Sequence, residues 1–491
     1  MLKKIYKLAP YGLLLIHLII AFCVCIYISC FTSSIGGDTL EHMHTSYLVH
    51  LGKIPYRDFF QHHNPLLWFL FSPLVGLFDK GLSDTFITNF VLISALVASF
   101  LNFYYLFLIT KRFLSNSLSG LIASAIAITP FVVLSIVHFR PDNFMFLSFF
   151  AGLYYYFCYL ETKKLHSLCL SFFLFWCSFM FLQKIVFTLV LLALITFYLI
   201  AKKRILIQDI LYSLMLPFVL SLAFILYLYN YQILDIWYQS NFTFNLHIPE
   251  IFTDRRLGFL WIELKLLIAF SILSIIFLLK NSNIYFKIIS IIFVFELVQR
   301  LFYFSAFAYY YCLLIYISSI LSAVFVSNII IKKYFYFVYI ICFALFFSMY
   351  KPAIYEGNVA PRKSSFHVPL HMRVQQSLNK CDTAINGDGT IYNIYNLDAH
   401  YYWNLLGQTD VIGAKVGIAP LMDINNVIKT KKPRIISVRP YFDKYYSERG
   451  QRVVVHNPDM EYINKYYKPF DYNEGLFILK PEYANFDCDI K

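Results

Sequence analysis

Long apolar stretches separated by short polar segments fill most of the first 350 residues. A helix needs about 20 predominantly apolar residues to cross a bilayer, where its backbone groups must be satisfied internally. Stretches of roughly this length predict about eleven spans, at residues 10–31, 86–109, 118–138, 143–160, 167–182, 185–201, 209–229, 259–279, 284–303, 305–326 and 334–350. The pattern predicts a mainly α, polytopic membrane helical bundle over residues 1–351.

The pattern changes after residue 351. Apolar runs become short and are bounded by Gly, Pro and Asn, which is typical of strands. They include RIISV at 434–438, QRVVVH at 451–456 and GLFILK at 475–480, whereas HMRVQQSLNK at 371–380 predicts a helix. Residues 352–491 are therefore predicted to form a small soluble α/β domain.

One further apolar run, from Pro65 to Phe78, is only ~14 residues long, which is more typical of interfacial or re-entrant segments. If it does not cross and the N-terminus is cytoplasmic, the cytoplasmic loops hold 14 basic and two acidic residues. The outer segments before residue 352 then hold ten of each, which satisfies the positive-inside rule. This predicts a multi-pass cell-membrane protein with a long outer loop at 32–85 and an extracytoplasmic C-terminal domain.

Composition agrees with this picture, since 59% of residues are hydrophobic and only 14% are charged. The net charge of +13 does not indicate a nucleic-acid partner, because Lys and Arg occur in small clusters between apolar runs. Of the ten cysteines, only Cys381 and Cys488 lie in the C-terminal domain. They could form a disulfide if that domain is extracytoplasmic, although sequence does not give their separation.

The first outer loop carries Asp38 directly after Gly36-Gly37, which ends the first span. Asp38 precedes a stretch predicted to be helical from Thr39 to Leu51. One interpretation is a helix N-cap, with Glu41 completing a capping box. A carboxylate can cap a helix and also act on a substrate, so both interpretations stay open.

Further along this loop, the segment PYRDFFQHHNP combines aromatic residues with charges and histidines, which suits a surface near lipid headgroups. Either these polar residues bind a substrate, or Arg57 simply pairs with Asp58 and the histidines are interfacial. The hinge HFRPDN at 138–143 falls on the same predicted face. Ionisable residues at such boundaries are often functional, although Arg140 could also be a snorkelling anchor. Candidate substrate-binding residues are Arg57, Asp58, His62, His63, Arg140 and Arg300.

The chain resembles the GT-C superfamily of polytopic glycosyltransferases, in particular the polyprenyl-phosphate-sugar-dependent mannosyltransferase and aminoarabinose-transferase-like branch. Four features carry the resemblance, and they cover about residues 1–160. They are Asp38 in GGDTLEHMH, the stretch from Gly52 to Leu66 with its PYRDFFQHH core, the basic turn KRF at 111–113, and Arg140-Pro141-Asp142 after the third span.

The resemblance implies a GT-C-like enzyme that moves a sugar from a polyprenyl-phosphate donor to an envelope glycan, lipid or protein at the outer face. It implies Asp38 as the catalytic base and Asp142 as a second catalytic acidic residue. Where many members carry an acidic residue before a Pro-Leu stretch, this chain has Gln61-His62-His63-Asn64. A divalent metal is therefore possible but not required, and no metal ligand is assigned. The resemblance favours inversion, while a retaining mechanism through Asp142 stays open.

The main alternative is a transporter or flippase of lipid-linked saccharides. Such proteins favour inverted repeats and a midplane site, whereas the ionisable residues here gather on one predicted face. A non-catalytic envelope-assembly protein is a further alternative. The sequence does not identify the sugar, the acceptor or the oligomeric state.

Overall fold

A computed structural model describes residues 2–31, 37–114, 117–247, 264–281, 283–302, 311–327, 368–386, 393–402, 409–437, 445–446, 452–453, 458–471 and 475–484. The chain divides into two compact units. The first unit comprises residues 1–31, 92–223 and 253–361, and the second comprises residues 32–91, 224–252 and 362–491. Each unit is assembled from three separate parts of the chain.

Helices account for most of the described residues. They are α1 (Leu2–Phe31), α2 (Gly37–His50), α3 (Leu66–Val75), α4 (Asp84–Leu114), α5 (Ser117–Ala127), α6 (Pro130–Ile136), α7 (Pro141–Thr162), α8 (Leu165–Phe181), α9 (Val186–Ala201), α10 (Ile207–Asn230), α11 (Leu234–Tyr238), α12 (Phe244–His247), α13 (Lys265–Leu278), α14 (Ile284–Phe302), α15 (Cys312–Phe325), α16 (Val368–Gln376), α17 (Thr409–Lys415), α18 (Ile424–Lys431) and α19 (Met460–Tyr466). A π-helical turn, Gln239–Thr243, joins α11 to α12.

The predicted spans can be compared with these helices. Four helices, at 84–113, 141–162, 183–201 and 207–230, are long and apolar enough to cross a membrane, and five shorter apolar helices accompany them among the described residues. The span predicted at 118–138 is instead two helices, α5 and α6, because Pro130 starts a new helix that Thr129 caps by accepting from the Val132 N–H. The span predicted at 334–350 lies outside the described residues.

The short run at 65–78 forms α3, a helix of 10 residues that contains Pro73 and continues into a 3₁₀ turn, Gly76–Lys80. At 1.5 Å per residue, α3 is about 15 Å long, roughly half the thickness of the hydrocarbon core. Its length agrees with the prediction that this run is not a span. Its placement at the membrane surface stays a prediction.

Helices of the first unit approach closely where their side chains are small, as expected for helices packing in lipid. Gly152 of α7 faces α8 so tightly that an added Cβ would lie 2.8 Å from a Phe175 ring carbon and 3.2 Å from the Ser171 carbonyl oxygen. In α13, the Ser271 hydroxyl donates to the Ser318 carbonyl of α15 at 3.1 Å. Small residues therefore set the spacing of these helix pairs.

The second unit contains a small sheet with strand order β2-β1-β3-β7-β6. Its strands are β1 (Thr383–Ile385), β2 (Leu397–Asp398), β3 (Ile435–Ser437), β6 (Tyr467–Asp471) and β7 (Leu476–Leu479), and a separate pair is β4 (Tyr445–Tyr446) with β5 (Arg452–Val453). β1 pairs in parallel with β2 and β3, while β7 runs antiparallel to β3 and β6. The predicted strands RIISV, QRVVVH and GLFILK contain β3, β5 and β7, and the predicted helix contains most of α16.

We expect Gly152→Ala to lower the melting temperature of the detergent-solubilised protein, because the new methyl group collides with α8 at a cost of about 1–3 kcal/mol. The matched control is Gly12→Ala in α1, where an added Cβ has nothing within 4 Å. That variant gains helix propensity of about 1 kcal/mol and should not lose stability. Equal melting temperatures for the two variants would contradict the close packing of α7 on α8.

Candidate active site

α2 carries Asp38, the carboxylate to which the family resemblance assigns the role of base. The helix begins at Gly37, so Asp38 lies in its first turn, which corrects the predicted start at Thr39. A carboxylate in the first turn is stabilised by the helix dipole. Asp38 and Glu41 are partly exposed, whereas residues 42–48 are buried. The predicted end of the helix is confirmed within one residue, since Gly52 follows with a φ of +76°.

The loop at 54–60 is held by a buried tyrosine. Tyr56 has a φ of +69°, which bulky residues rarely adopt, and its hydroxyl donates to the His63 carbonyl oxygen at 2.5 Å. The next residue, Arg57, donates through Nε and Nη2 to the two Asp58 carboxylate oxygens at 2.8 and 3.0 Å. Burial raises the pKa of Asp58, but the hydrogen bonds from Arg57 and from the Ile54 N–H outweigh it and hold that pKa below its ordinary value. Arg57 and Asp58 thus form an ion pair with each other, which was one of the two interpretations of this segment. Their role in binding substrate stays a prediction.

Side chains from α11 and α12 fix the backbone around the two adjacent histidines. Asn245 donates to the His62 carbonyl at 2.9 Å, and Trp237 Nε1 donates to Asn64 Oδ1 at 3.0 Å. The rings of His62 and His63 lie 4.0 Å apart between centroids. These contacts hold the segment that carries both imidazoles against α11 and α12.

The same segment is tied to α2 through Gln61, which donates to Thr45 Oγ1 at 2.7 Å and to Glu41 Oε1 at 3.3 Å. As a result, His63 lies beside Glu41 and His42, and one potential ligand atom from each lies within 4.8 Å of the others. α2 and the histidine segment thus form one acidic and imidazole-rich cluster, partly open at Glu41.

A second group of charges lies inside the first unit, at the start of α7. Arg140 Nη2 lies 3.1 Å from Asp142 Oδ2, and both side chains are less than a tenth exposed. The Cys312 thiol at the start of α15 interacts electrostatically with Arg140, Asp142 and Arg300. The start of α7, with Arg140 and Asp142, and α14, with Arg300, therefore both lie within electrostatic range of Cys312 in the first unit.

Arg300 belongs to this group through α14. Its Nη2 lies 3.1 Å from Glu296 Oε2 one turn earlier, and Glu296 is fully buried. Glu296 also accepts a hydrogen bond from Thr188 of α9. The buried carboxylate is thus paired, as expected for an ionisable residue inside a predicted span.

The chain is similar in fold to solved membrane glycosyltransferases. It resembles ArnT from Cupriavidus metallidurans bound to undecaprenyl phosphate with a TM-score of 0.58 at 11% identity, over 90% of this chain and 97% of that chain. For the apo state of ArnT the TM-score is 0.59 at 11% identity, over 91% and 98%. The archaeal oligosaccharyltransferase AglB from Archaeoglobus fulgidus, in complex with an inhibitory peptide and a dolichol-phosphate, gives 0.52 at 11% identity, over 96% and 75%.

The chain has the GT-C fold. The sequence model of the family described as dolichyl-phosphate-mannose-protein mannosyltransferase also matches residues 66–228. No curated protein is significantly similar to the chain. The resemblance drawn from Asp38, the PYRDFF segment and Arg140-Pro141-Asp142 is therefore confirmed at the level of the fold.

Within this GT-C chain the predicted site residues fall into two groups. Asp38, Arg57, Asp58, His62 and His63 belong to the second unit, and Arg140, Asp142 and Arg300 belong to the first. Sequence reasoning missed His42 and Trp68 and took Glu41 only as a cap. The pair of histidines in EHMH, both at buried positions of one helix, was the available signal.

The cluster does not fit a three-ligand metal site as it stands. The indole Nε1–H of Trp68 can only donate, and it lies 3.1 Å from His42 Nδ1. His42 Nδ1 is therefore the acceptor, and the single proton of the neutral ring lies on Nε2. The lone pair of Nδ1 accepts from Trp68 and Nε2 carries the proton, so His42 has no lone pair left for a metal ion. Only Glu41 and His63 of the cluster are then possible ligands. Structural and catalytic zinc sites use three or four protein ligands.

We expect Trp68→Phe to strengthen zinc binding by the purified protein, because it releases His42 Nδ1 from its hydrogen bond. One such bond corresponds to about 0.5–1.5 kcal/mol, or roughly 3- to 10-fold in affinity. The matched control is Trp237→Phe, which removes an indole that donates to Asn64 instead of a histidine. Isothermal titration calorimetry with Zn²⁺ measures the affinity of each variant. The prediction is wrong if both variants bind zinc with the affinity of the unmodified protein.

Proposed function

We propose that this chain is a membrane glycosyltransferase that moves a sugar from a polyprenyl-phosphate donor to a cell-envelope acceptor at the outer membrane face, with inversion. The observation that carries the proposal is the position of Asp38 in the first turn of α2, beside the cluster of Glu41, His42 and His63, in a chain with the GT-C fold. The ArnT structure that the chain resembles is bound to undecaprenyl phosphate.

The chemistry needs a base and a group that stabilises the departing phosphate. We assign Asp38 as the general base that takes the proton of the acceptor hydroxyl as it attacks. Its partial exposure leaves the carboxylate accessible to a hydroxyl, whereas the buried side of α2 keeps it in place. His63, held through its carbonyl by Tyr56, is a candidate donor to developing negative charge.

The arginines of the first unit are candidates for binding the phosphate of the donor lipid. Arg140 is paired with Asp142 and Arg300 with Glu296, and both arginines lie within electrostatic range of Cys312. Guanidinium groups suit phosphate because they form two parallel hydrogen bonds. In this assignment Asp142 holds Arg140 in place and supplies the second acidic group.

Two observations support an outer location of the C-terminal domain. Lys and Arg are concentrated in the loops predicted to be cytoplasmic. Cys381 is disulfide-bonded, and disulfides persist mainly in oxidising compartments. Cys488 lies outside the described residues.

We expect Asp38→Asn to lower the rate of sugar transfer by about 100-fold or more, because an amide cannot act as a base. The assay uses membranes with radiolabelled polyprenyl-phosphate sugars and total envelope acceptors. The matched control is Asp235→Asn, an exposed aspartate in the first turn of α11. If Asp38→Asn transfers sugar at the normal rate, the assignment of Asp38 as the base is wrong. If lipid-linked sugar moves across the membrane independently of Asp38, the result favours a transporter.

The proposed topology is tested with single cysteines introduced at three exposed lysines. Lys53→Cys and Lys429→Cys should react with a membrane-impermeant maleimide added outside intact cells, whereas Lys202→Cys should react only after permeabilisation. The unmodified protein gives the background from native cysteines. Protection of position 53 or 429 in intact cells would overturn the outer placement of the loop or of the C-terminal domain.

A further inference from the structure

One histidine of α2 is used neither by the cluster nor by the proposed chemistry. His44 is fully buried, and its Nε2 lies 2.8 Å from Asp398 Oδ2. Its other ring nitrogen, Nδ1, lies 3.0 Å from the Ile394 carbonyl oxygen. Both partners belong to the segment 393–402 and lie 350 and 354 positions further along the chain.

The two contacts determine the charge of the ring. A backbone carbonyl only accepts, and so does an ionised carboxylate. Each ring nitrogen of His44 must therefore carry a proton, which makes the ring an imidazolium. Burial alone lowers the pKa of His44, but the Asp398 carboxylate and the nearby carbonyls outweigh it and raise that pKa above its ordinary value. The contact is thus a buried ion pair that is hydrogen-bonded on both sides.

The carboxylate partner is itself fixed in the C-terminal sheet. Asp398 lies on the edge strand β2, and its Oδ1 accepts from Asn393 Nδ2 at 2.9 Å. Asn393 in turn accepts from Asn386 Nδ2 at 2.7 Å. These bonds leave Asp398 little freedom, so His44 anchors α2 to a rigid edge of the sheet.

The same segment contacts the outer loop at further points. The Tyr395 ring stacks on Phe78 at 3.8 Å between centroids, and its hydroxyl donates to Asp84 Oδ1 at 2.7 Å. At the other end, the Tyr401 carbonyl accepts from the Phe60 N–H at 2.8 Å. Segment 393–402 therefore contacts α2, the turn after α3, the start of α4 and the loop at 54–60.

We infer that the His44–Asp398 pair positions α2. The edge of the C-terminal sheet then holds the loop that carries the catalytic Asp38 in its active geometry. Asp38 and His44 are six residues apart on one helix, about 9 Å along its axis. Because a helix moves as a rigid body over this distance, holding His44 fixes the orientation of the Asp38 backbone. His44 and Asp398 are positioning residues in this scheme, which rests on the proposed function of Asp38.

The test is the variant Asp398→Asn, compared with Asp459→Asn. Asp459 caps α19 and pairs with Lys429 on an exposed part of the same domain, and Asn caps helices as well as Asp does. We expect Asp398→Asn to lower kcat for sugar transfer by about 10- to 100-fold, since small misplacements of a catalytic group have effects of this size. The KM for the donor should change little. An unchanged kcat in Asp398→Asn overturns the inference.

The double variant His44→Gln/Asp398→Asn covers the case in which the single variant fails to fold. Replacing both charges by amides removes the uncompensated buried charge and can retain a hydrogen bond. We expect it to accumulate in membranes and to recover part of the kcat lost in either single variant. If the losses of kcat in the two single variants multiply in the double variant, with no recovery, the two residues act separately and the inference is overturned.

Hydrogen–deuterium exchange of α2 provides a readout that needs no substrate. Amides of α2 should exchange faster in Asp398→Asn than in Asp459→Asn, and unchanged protection contradicts the positioning role. If the unmodified protein transfers no sugar from any polyprenyl-phosphate donor, the proposed function fails, while the exchange result still decides whether Asp398 holds α2.

Discussion

A charge that is buried away from water is costly unless an opposite charge and hydrogen bonds accompany it. This constraint determines where the polar residues of the chain can lie. Arg140 with Asp142 and Arg300 with Glu296 are such pairs in the first unit. His44 with Asp398 is such a pair in the second. The first two pairs are local, between residues two and four positions apart, whereas His44–Asp398 ties α2 to the edge strand β2 of the C-terminal sheet.

The parts of the structure that depend on local chemistry were predictable from sequence. Apolar length identified many of the helices, and Pro73 with a run of only ~14 residues separated α3 from the longer apolar runs. Gly52 marked the end of α2. Pro130, with Thr129 before it as an N-cap residue, is the sequence signal for a break in the third predicted span, whereas a count of apolar residues does not distinguish one helix from two.

Contacts between distant parts of the chain were not predictable in the same way. The position of Arg300 on α14 relative to Arg140 and Asp142 at the start of α7 depends on how these helices pack, which the sequence alone does not indicate. The proton position on His42 depends on Trp68, 26 residues away, and the ionisation of His44 depends on Asp398. Nothing in a single sequence says which carboxylate meets which imidazole. The 11% identity to ArnT shows how loosely apolar spans constrain residue identity while the fold persists.

The separation of His44 from Asp398 has a consequence for biosynthesis. The two residues lie 354 positions apart, so the edge strand that receives α2 leaves the ribosome long after α2 itself. At about 5–20 residues per second, translation of this interval takes roughly 20–70 s. During that time α2 lacks both the Ile394 carbonyl and the Asp398 carboxylate that His44 contacts in the folded protein. The loop that contains α2 therefore reaches its final form only after segment 393–402 has been synthesised, which makes the maturation of the candidate site a late event.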